Sequence, residues 1–193
     1  FHNLTELLHW FRTGQRVELP SLFAFQEIEN SLDIADVAGQ RQAKESIEIA
    51  AAGGHHILMM GPPGVGKTML AERIPSILPP LREDEALEVT SIHSIAGTLQ
   101  QRGTLSKLPP FIAPHHTTTI AAMVGGGSGA IRPGSCSLAH RGILFIDEAP
   151  ECASGIIDSL RQPLESGVIT INRTSGTVTF PDRKSTRLNS SHT

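Results

Sequence analysis

The stretch Gly61-Pro62-Pro63-Gly64-Val65-Gly66-Lys67-Thr68 satisfies the pattern G-x-x-x-x-G-K-T. It stands between the apolar run Ile57-Leu58-Met59-Met60 and a segment over 67–74 that reads as a helix broken near Pro75. Strand, glycine loop and helix in that order commit the chain to an α/β fold whose backbone cradles a phosphate. The glycines let backbone amides turn inward around phosphate oxygens, where a side chain would obstruct the approach. The helix that follows points its positive end at the same anion. Lys67 supplies a compact charge for the β- and γ-phosphates, and the Thr68 hydroxyl is a ligand for magnesium. The residues expected against a nucleotide are Gly61, Pro62, Pro63, Gly64, Val65, Gly66, Lys67, Thr68 and Met69.

A second apolar run, Ile143-Leu144-Phe145-Ile146, ends in Asp147-Glu148. A carboxylate at the C-terminal end of a parallel strand lies in the crevice where open α/β sheets bind ligands, beside the phosphate loop. Asp147 is expected to hold magnesium through its water shell, and Glu148 to orient and polarise an attacking water. A small-molecule kinase must keep water from the γ-phosphate, so a second carboxylate here favours hydrolysis. The expected catalytic residues are therefore Lys67 and Glu148, and the metal ligands Thr68 and Asp147.

Around these two motifs the chain alternates helices with short strands. Ala43, Ile47, Ala50 and Ala51 predict an amphipathic helix over 40–52, with Lys44 and Glu48 four apart and Gly53-Gly54 as its stop. Ala86, Leu87, Val89 and Ile92 predict another over 83–95, begun by Glu83-Asp84-Glu85, whose charge complements the helix dipole. Residues 97–135, rich in Gly, Pro, Ser, Thr and His, read as a long functional loop. A helix is expected over 154–164, then a hairpin of 168–171 with 177–180 across a glycine-containing turn.

Composition sets limits on the rest. The 193 residues are 39% hydrophobic and 4% aromatic with no Tyr, so the core must rest on aliphatic side chains. A net charge of −3 excludes a surface that grips nucleic acid everywhere, and leaves room for a local basic groove or pore. Cys136 and Cys152 are too few for a disulfide scaffold and fit a reducing, cytoplasmic setting. No run approaches the roughly 20 apolar residues a membrane helix needs, and no targeting peptide is visible. Leu4, Leu7, Leu8 and Phe11 have helical spacing and read as the end of a preceding element over 1–20, with a linker at 21–32. The main domain is expected over 33–181. Residues 182–193 carry one large apolar residue, Leu188, and no periodicity, and are expected to be disordered and outside the fold. Without them the chain has 13 basic and 18 acidic residues, a net of −5.

A set of segments together resembles the magnesium-chelatase-like AAA+ ATPases of the ComM/YifB type. They are Asp36-Val37-Ala38-Gly39-Gln40, the 61–68 loop, Ala113-Pro114-His115-His116, Val124-Gly125-Gly126-Gly127, Ser137-Leu138-Ala139-His140, the Asp147-Glu148 strand and Leu160-Arg161-Gln162-Pro163-Leu164-Glu165-Ser166-Gly167. The resemblance runs over 33–181 and implies a P-loop NTPase core: a doubly wound parallel sheet with an inserted β-hairpin, incomplete at its C-terminal side. It further implies ATP and magnesium as cofactors, ATP hydrolysis, homo-oligomeric rings such as hexamers, and work on DNA as a branch-migration helicase in competence. An ATP-driven chaperone that remodels a protein complex, like a chelatase subunit, and a piece that only binds nucleotide are the alternatives. Residues 1–20 resemble the end of a Lon-protease-like domain. In the family the chain after Phe180-Pro181 continues into a sensor strand, an arginine finger and a helical lid, and this sequence departs there, so none of the three is assigned.

Other groups carry less. His115, His116, His140, Cys136 and Cys152 are zinc-ligand types without paired spacing, and read as structural or interface groups. Arg161 and Arg173 read as salt-bridge formers rather than trans-acting fingers. The 125–129 glycine stretch lacks a following Lys-Thr, and the family resemblance makes it a mobile loop facing a ring pore.

Overall fold

The computed structural model describes residues 11–13, 24–25, 32–99, 104–126, 132–152, 154–161, 168–173, 176–181 and 186–191. Most of 1–32, the 127–131 part of the glycine stretch and the 162–167 part of the Leu160–Gly167 motif fall outside them, as does the Arg173 side chain.

Strand β1 (Ala24–Phe25) precedes a 3-10 turn, Ile34–Asp36, whose N-terminal end is closed by two carboxylates and whose C-terminal end is closed by the Val37 N–H donating to the Ile34 carbonyl. Asp33 accepts from the Ala35 N–H at 2.9 Å and Asp36 from the Asp33 N–H at 3.3 Å. Helix α1 (Arg41–Gly53) buries Ile47, Ala50 and Ala51 as its spacing predicts, and stops at Gly54, which takes a left-handed φ of 62°. β2 (Ile57–Met60) then runs into the glycine loop and α2 (Lys67–Ala71). α2 is shorter than expected because Pro75 has no N–H to give, and the chain tightens into a 3-10 turn over Ile74–Ile77. α3 (Glu83–Ala96) begins where Glu85 Oε2 accepts from the Arg82 N–H at 3.1 Å.

The expected long loop over 97–135 is instead a series of short elements: β3 (Thr104–Leu105), β4 (Phe111–Ile112), α4 (Ile120–Val124), β5 (Gly125–Gly126), β6 (Arg132–Pro133) and the start of α5 (Ser135–Leu138). Pieces of two to five residues are too short to show a periodicity, and tertiary contact holds them. Thr119 caps α4 by accepting from the Ala122 N–H at 3.2 Å, and Met123 is fully buried.

β7 (Ile143–Ile146) and α6 (Ser154–Ser159) follow, then β8 (Val168–Arg173) and β9 (Gly176–Pro181). The last two form the expected antiparallel hairpin, from Val168 opposite Pro181 to Arg173 opposite Gly176. β10 (Thr186–Ser191) ends the described chain.

The main sheet is wholly parallel, in the order β2-β10-β7-β4. Residues 182–193, expected to be disordered, thus require a correction over 186–191. β10 pairs with β2 on one side and β7 on the other, Leu188 standing opposite both Ile57 and Phe145. Hydrophobic pattern gave no warning because a ladder between two strands draws on backbone N–H and C=O groups that every residue but proline carries.

Both faces of the sheet are covered, which makes it doubly wound. Ile143 and Phe145 of β7 pack with Ile34, Val37, Ile47, Leu70, Ala71 and Ile74, from the α1 and α2 side. Phe145 also stacks on Phe111, ring centroids 6.0 Å apart. Leu144 and Ile146 pack on the other face with Met123, Cys136, Ala139, Ile156 and Leu160, from α4, α5 and α6. Every β7 residue is buried, as a central parallel strand requires. On β2 the pattern differs: Ile57 and Met59 are half-buried, while Leu58 and Met60 are 55% and 65% exposed.

A polar cluster ties α3 to the turn before β7. Arg141, in the left-handed region at φ 62°, donates to Glu85 at 3.0 Å and Glu88 at 3.1 Å, and His140 Nε2 lies 3.1 Å from Glu88 Oε2. Burial pushes the His140 pKa down despite the neighbouring carboxylate, so the ring is a neutral donor through Nε2–H rather than half of an ion pair. Its Nδ1 is left buried without a hydrogen-bond partner. Burial likewise lowers the pKa of His93, whose Nε2 lies 3.0 Å from the Leu138 carbonyl.

Candidate nucleotide-binding site

The loop between β2 and α2 is exposed at Pro62, Pro63, Gly64 and Val65, so its rim is open to a ligand. Gly64 and Gly66 take φ values of 78° and 91°, a region that side chains other than glycine's rarely occupy. A Cβ on Gly64 would stand in open space, with nothing within 4 Å, so it is the left-handed backbone rather than crowding that calls for glycine there. Lys67 is 7% exposed, and its Nζ donates to the Gly61 carbonyl at 2.8 Å and the Pro62 carbonyl at 3.1 Å. The ammonium is thereby held inside the loop's curve rather than loose in solvent. Met69, at the first turn of α2, lies beside the loop: its Cε would be 3.1 Å from a Cβ on Gly66.

Thr68 Oγ1 donates to Asp147 Oδ2 at 2.9 Å, which brings the loop and the β7 terminus together. The other Asp147 oxygen, Oδ1, accepts from the Glu148 N–H at 2.9 Å. A hydroxyl and a carboxylate in contact are the hard oxygen donors a magnesium ion takes with phosphates, so this pair fits that ion. Glu148 is a non-glycine residue in the left-handed region, φ 50° and ψ 43°, where the chain turns sharply out of β7. All the residues expected in the site from the sequence are thus gathered at the C-terminal ends of β2 and β7.

Two further residues reach this site: Gln40, to which sequence reasoning gave no role, and His116, which it read as a structural or interface group. Gln40, itself left-handed at φ 49°, donates from Nε2 to the Val65 carbonyl at 3.1 Å and braces the glycine loop from outside. His116 Nδ1 lies 3.3 Å from Glu148 Oε2. Both sit in segments that the family resemblance rests on, 36–40 and 113–116, and that membership was the one available signal.

The zinc-type residues are not drawn together. Among the described residues the one group close enough to share a cation is His116, Glu148 and Glu151, with ligand atoms within 4.8 Å of one another. Cys136 is core, and Cys152 packs on the same cluster with its thiol pKa raised by burial and by the neighbouring Glu148 and Glu151. Arg161 pairs with Asp158 at 3.7 Å, both side chains well exposed. A cleft of about 520 Å³ lies at the other end of the sheet, where β2 and β7 begin, lined by Gly53, Gly54, Leu81, Arg82 and Arg141, and is separate from the phosphate loop. No helix among the described residues is long and apolar enough to cross a membrane.

A glycine loop after one parallel strand and an acid at the end of another, with one strand between them, define a P-loop NTPase fold. The chain belongs to the family described as magnesium chelatase, subunit ChlI, whose model matches residues 33–188. YifB of Salmonella typhimurium is 52% identical over 153 residues, which cover 78% of this chain and 29% of that protein. Competence protein ComM of Haemophilus influenzae is 46% identical over 155 residues, covering 80% and 30%. A chain in a structure of the complex between subunits BchI and BchD of magnesium chelatase superposes with a TM-score of 0.64 at 22% identity, covering 83% of this chain and 55% of that one. The chain spans about a third of the length of the curated relatives it matches.

Proposed function

We propose that this chain binds ATP with magnesium at the 61–68 loop and hydrolyses it, as the motor core of a hexameric ring of like subunits that remodels DNA in the cytoplasm. The observation that carries the nucleotide part is the Thr68–Asp147 contact of 2.9 Å with Glu148 next in the chain. Magnesium, held by Thr68 and Asp147, would supply positive charge against the negative charge of the phosphates. The loop amides and Lys67 bind and orient the triphosphate, with Lys67 turning from the Gly61 and Pro62 carbonyls toward the phosphates. Thr68 and Asp147 hold the cation. Glu148 accepts a hydrogen bond from a water and aims its lone pair, a role typically contributing about 10²–10⁴-fold in rate. Lys67→Ala should weaken ATP binding, and equal affinity would refute the site. Glu148→Gln should bind ATP and fail to hydrolyse it.

For the wider role, identity of 46% to the competence protein ComM against 26–27% to magnesium-chelatase subunits supports the competence-related, DNA-directed reading over a chelatase-like one. With a net charge of −3, DNA contact must be local, and the β5–β6 pair, which carries the exposed Arg132, is the element suited to it. A protein-remodelling chaperone is the second reading, supported by the 26–27% identity to magnesium-chelatase subunits. Hydrolysis by the full-length protein that DNA stimulates supports the first; stimulation by a partner protein alone supports the second.

A further inference from the structure

Beyond Glu148 the chain enters a 3-10 turn, Ala149–Glu151, in which the Glu151 N–H donates to the Glu148 carbonyl at 2.8 Å. Residues three apart in such a turn eclipse one another, and Pro150 stiffens it, so Glu148 and Glu151 bring their carboxylates to the same side. The loop after β4 brings the His116 imidazole to the same place. One ligand atom from each of the three residues lies within 4.8 Å of the other two. Two carboxylates at such a separation repel each other, and a cation between them offsets that repulsion.

The distances suit a metal ion. Two ligands on a tetrahedral zinc ion, with bonds of about 2.0–2.1 Å, stand about 3.3 Å apart. His116 Nδ1 and Glu148 Oε2 are separated by 3.3 Å. In a triangle with no side above 4.8 Å a central point lies about 2.8 Å or less from every corner, so movements of under about 1 Å bring all three atoms to bonding distance. His116 and Glu148 are half-buried and Glu151 is exposed, so an ion can enter and keep water in its remaining positions. The donor set selects the class of ion. Magnesium takes oxygen ligands, as Thr68 and Asp147 offer, whereas an imidazole nitrogen favours zinc and its first-row neighbours. That nitrogen is what separates this group from a pair of surface acids.

We propose that His116, Glu148 and Glu151 form a binding site for one divalent transition-metal ion of the zinc class, separate from the magnesium pair, and that an ion bound there switches hydrolysis off. The second half rests on the hydrolytic reading of Glu148 above. A carboxylate whose lone pair is given to a metal no longer accepts a hydrogen bond from the attacking water, while Lys67, Thr68 and the loop amides are left as they were. Zinc therefore stops turnover without displacing ATP.

The test uses the full-length protein in millimolar magnesium, with zinc titrated against a chromophoric chelator. Wild type should bind one zinc ion per subunit at least about tenfold more tightly than His116→Ala or Glu151→Ala, and Asp147→Asn should bind it as wild type does. In steady-state assays zinc should lower the kcat of wild type with KM for ATP within about twofold. Half-inhibition should need at least about tenfold more zinc in each of the two variants, each read against its own zinc-free rate. The two substitutions lie in different loops, and ATP affinity near wild type in either shows that it is folded. Equal zinc binding by wild type and both variants, loss of the ion in Asp147→Asn rather than in them, or binding seen only when magnesium is left out overturns the site. Zinc bound through His116 and Glu151 with turnover unslowed, in a protein that Glu148→Gln inactivates, overturns the inhibitory half alone. If Glu148→Gln hydrolyses ATP as fast as wild type, the hydrolytic reading falls and the inhibitory half with it, while the zinc titration still decides the site.

Discussion

Thr68 donates its hydroxyl hydrogen to Asp147 at 2.9 Å across 79 residues of chain, so one hydrogen bond ties the glycine loop to the acidic strand end. Asp147→Asn preserves the shape and removes the charge. A hydrogen bond or ligand contact to a charged group is worth about 1.5–3 kcal/mol, so affinity for magnesium-ATP should fall by at least about tenfold. Affinity for ATP in the presence of a chelator should change little. Titration calorimetry with and without magnesium checks this, and an equal loss in both conditions would contradict the assignment.

Gln40 supports the loop from 25 residues upstream through Val65. Losing that bond should reduce ATP affinity about two- to tenfold, the range of one neutral hydrogen bond. Gln40→Ala mixes this loss with the strain of a left-handed φ of 49°, so Gln40→Gly, which relaxes the backbone, isolates it. Wild-type affinity in Gln40→Gly would show that the side chain does not matter.

Phe145, on the strand that runs into Asp147, is 1% exposed and packs with α1, α2 and Phe111. Phe145→Ala should cost about 3–5 kcal/mol of stability. Urea denaturation measures it, and a loss below about 1 kcal/mol would place the core elsewhere.

Acid should destabilise the fold in two stages. Burial lowers the pKa of His93 and His140 below 6.5, so as pH falls through that value the unfolded chain gains protons that the folded chain refuses, and stability drops. Glu88 has its pKa lowered chiefly by the hydrogen bond from His140, so its stabilising contribution is present above about 4.5 and is lost below that. The Tm should fall steadily from pH 7.5 to 4, and His140→Gln, which keeps a donor toward Glu88, should flatten the upper stage. A Tm constant or rising between pH 7 and 5 would contradict the buried neutral histidines.

The phosphate loop and the Asp147-Glu148 strand end were legible in the chain because each is a local device. Their residue types are fixed by backbone geometry and charge within eight positions. The same holds for α1, α3 and the β8–β9 hairpin, whose periodicity or turn extends over enough residues to be counted. Gln40 and His116 were not legible, since a glutamine or histidine in a loop says nothing about which distant carbonyl or carboxylate it will meet. The short elements between Thr104 and Pro133 and the pairing of β10 were hidden for a related reason: they are held by neighbours rather than by their own pattern.

The left-handed turn at Glu148 sets stability against activity at one position. Glycine and asparagine occupy that backbone region more readily than glutamate. Glu148→Gly and Glu148→Asn should therefore combine lost turnover with a Tm no lower than that of the active protein. Selection for a robust fold alone would favour replacing this glutamate, and the hydrolytic role proposed for it accounts for its presence in an uncomfortable conformation.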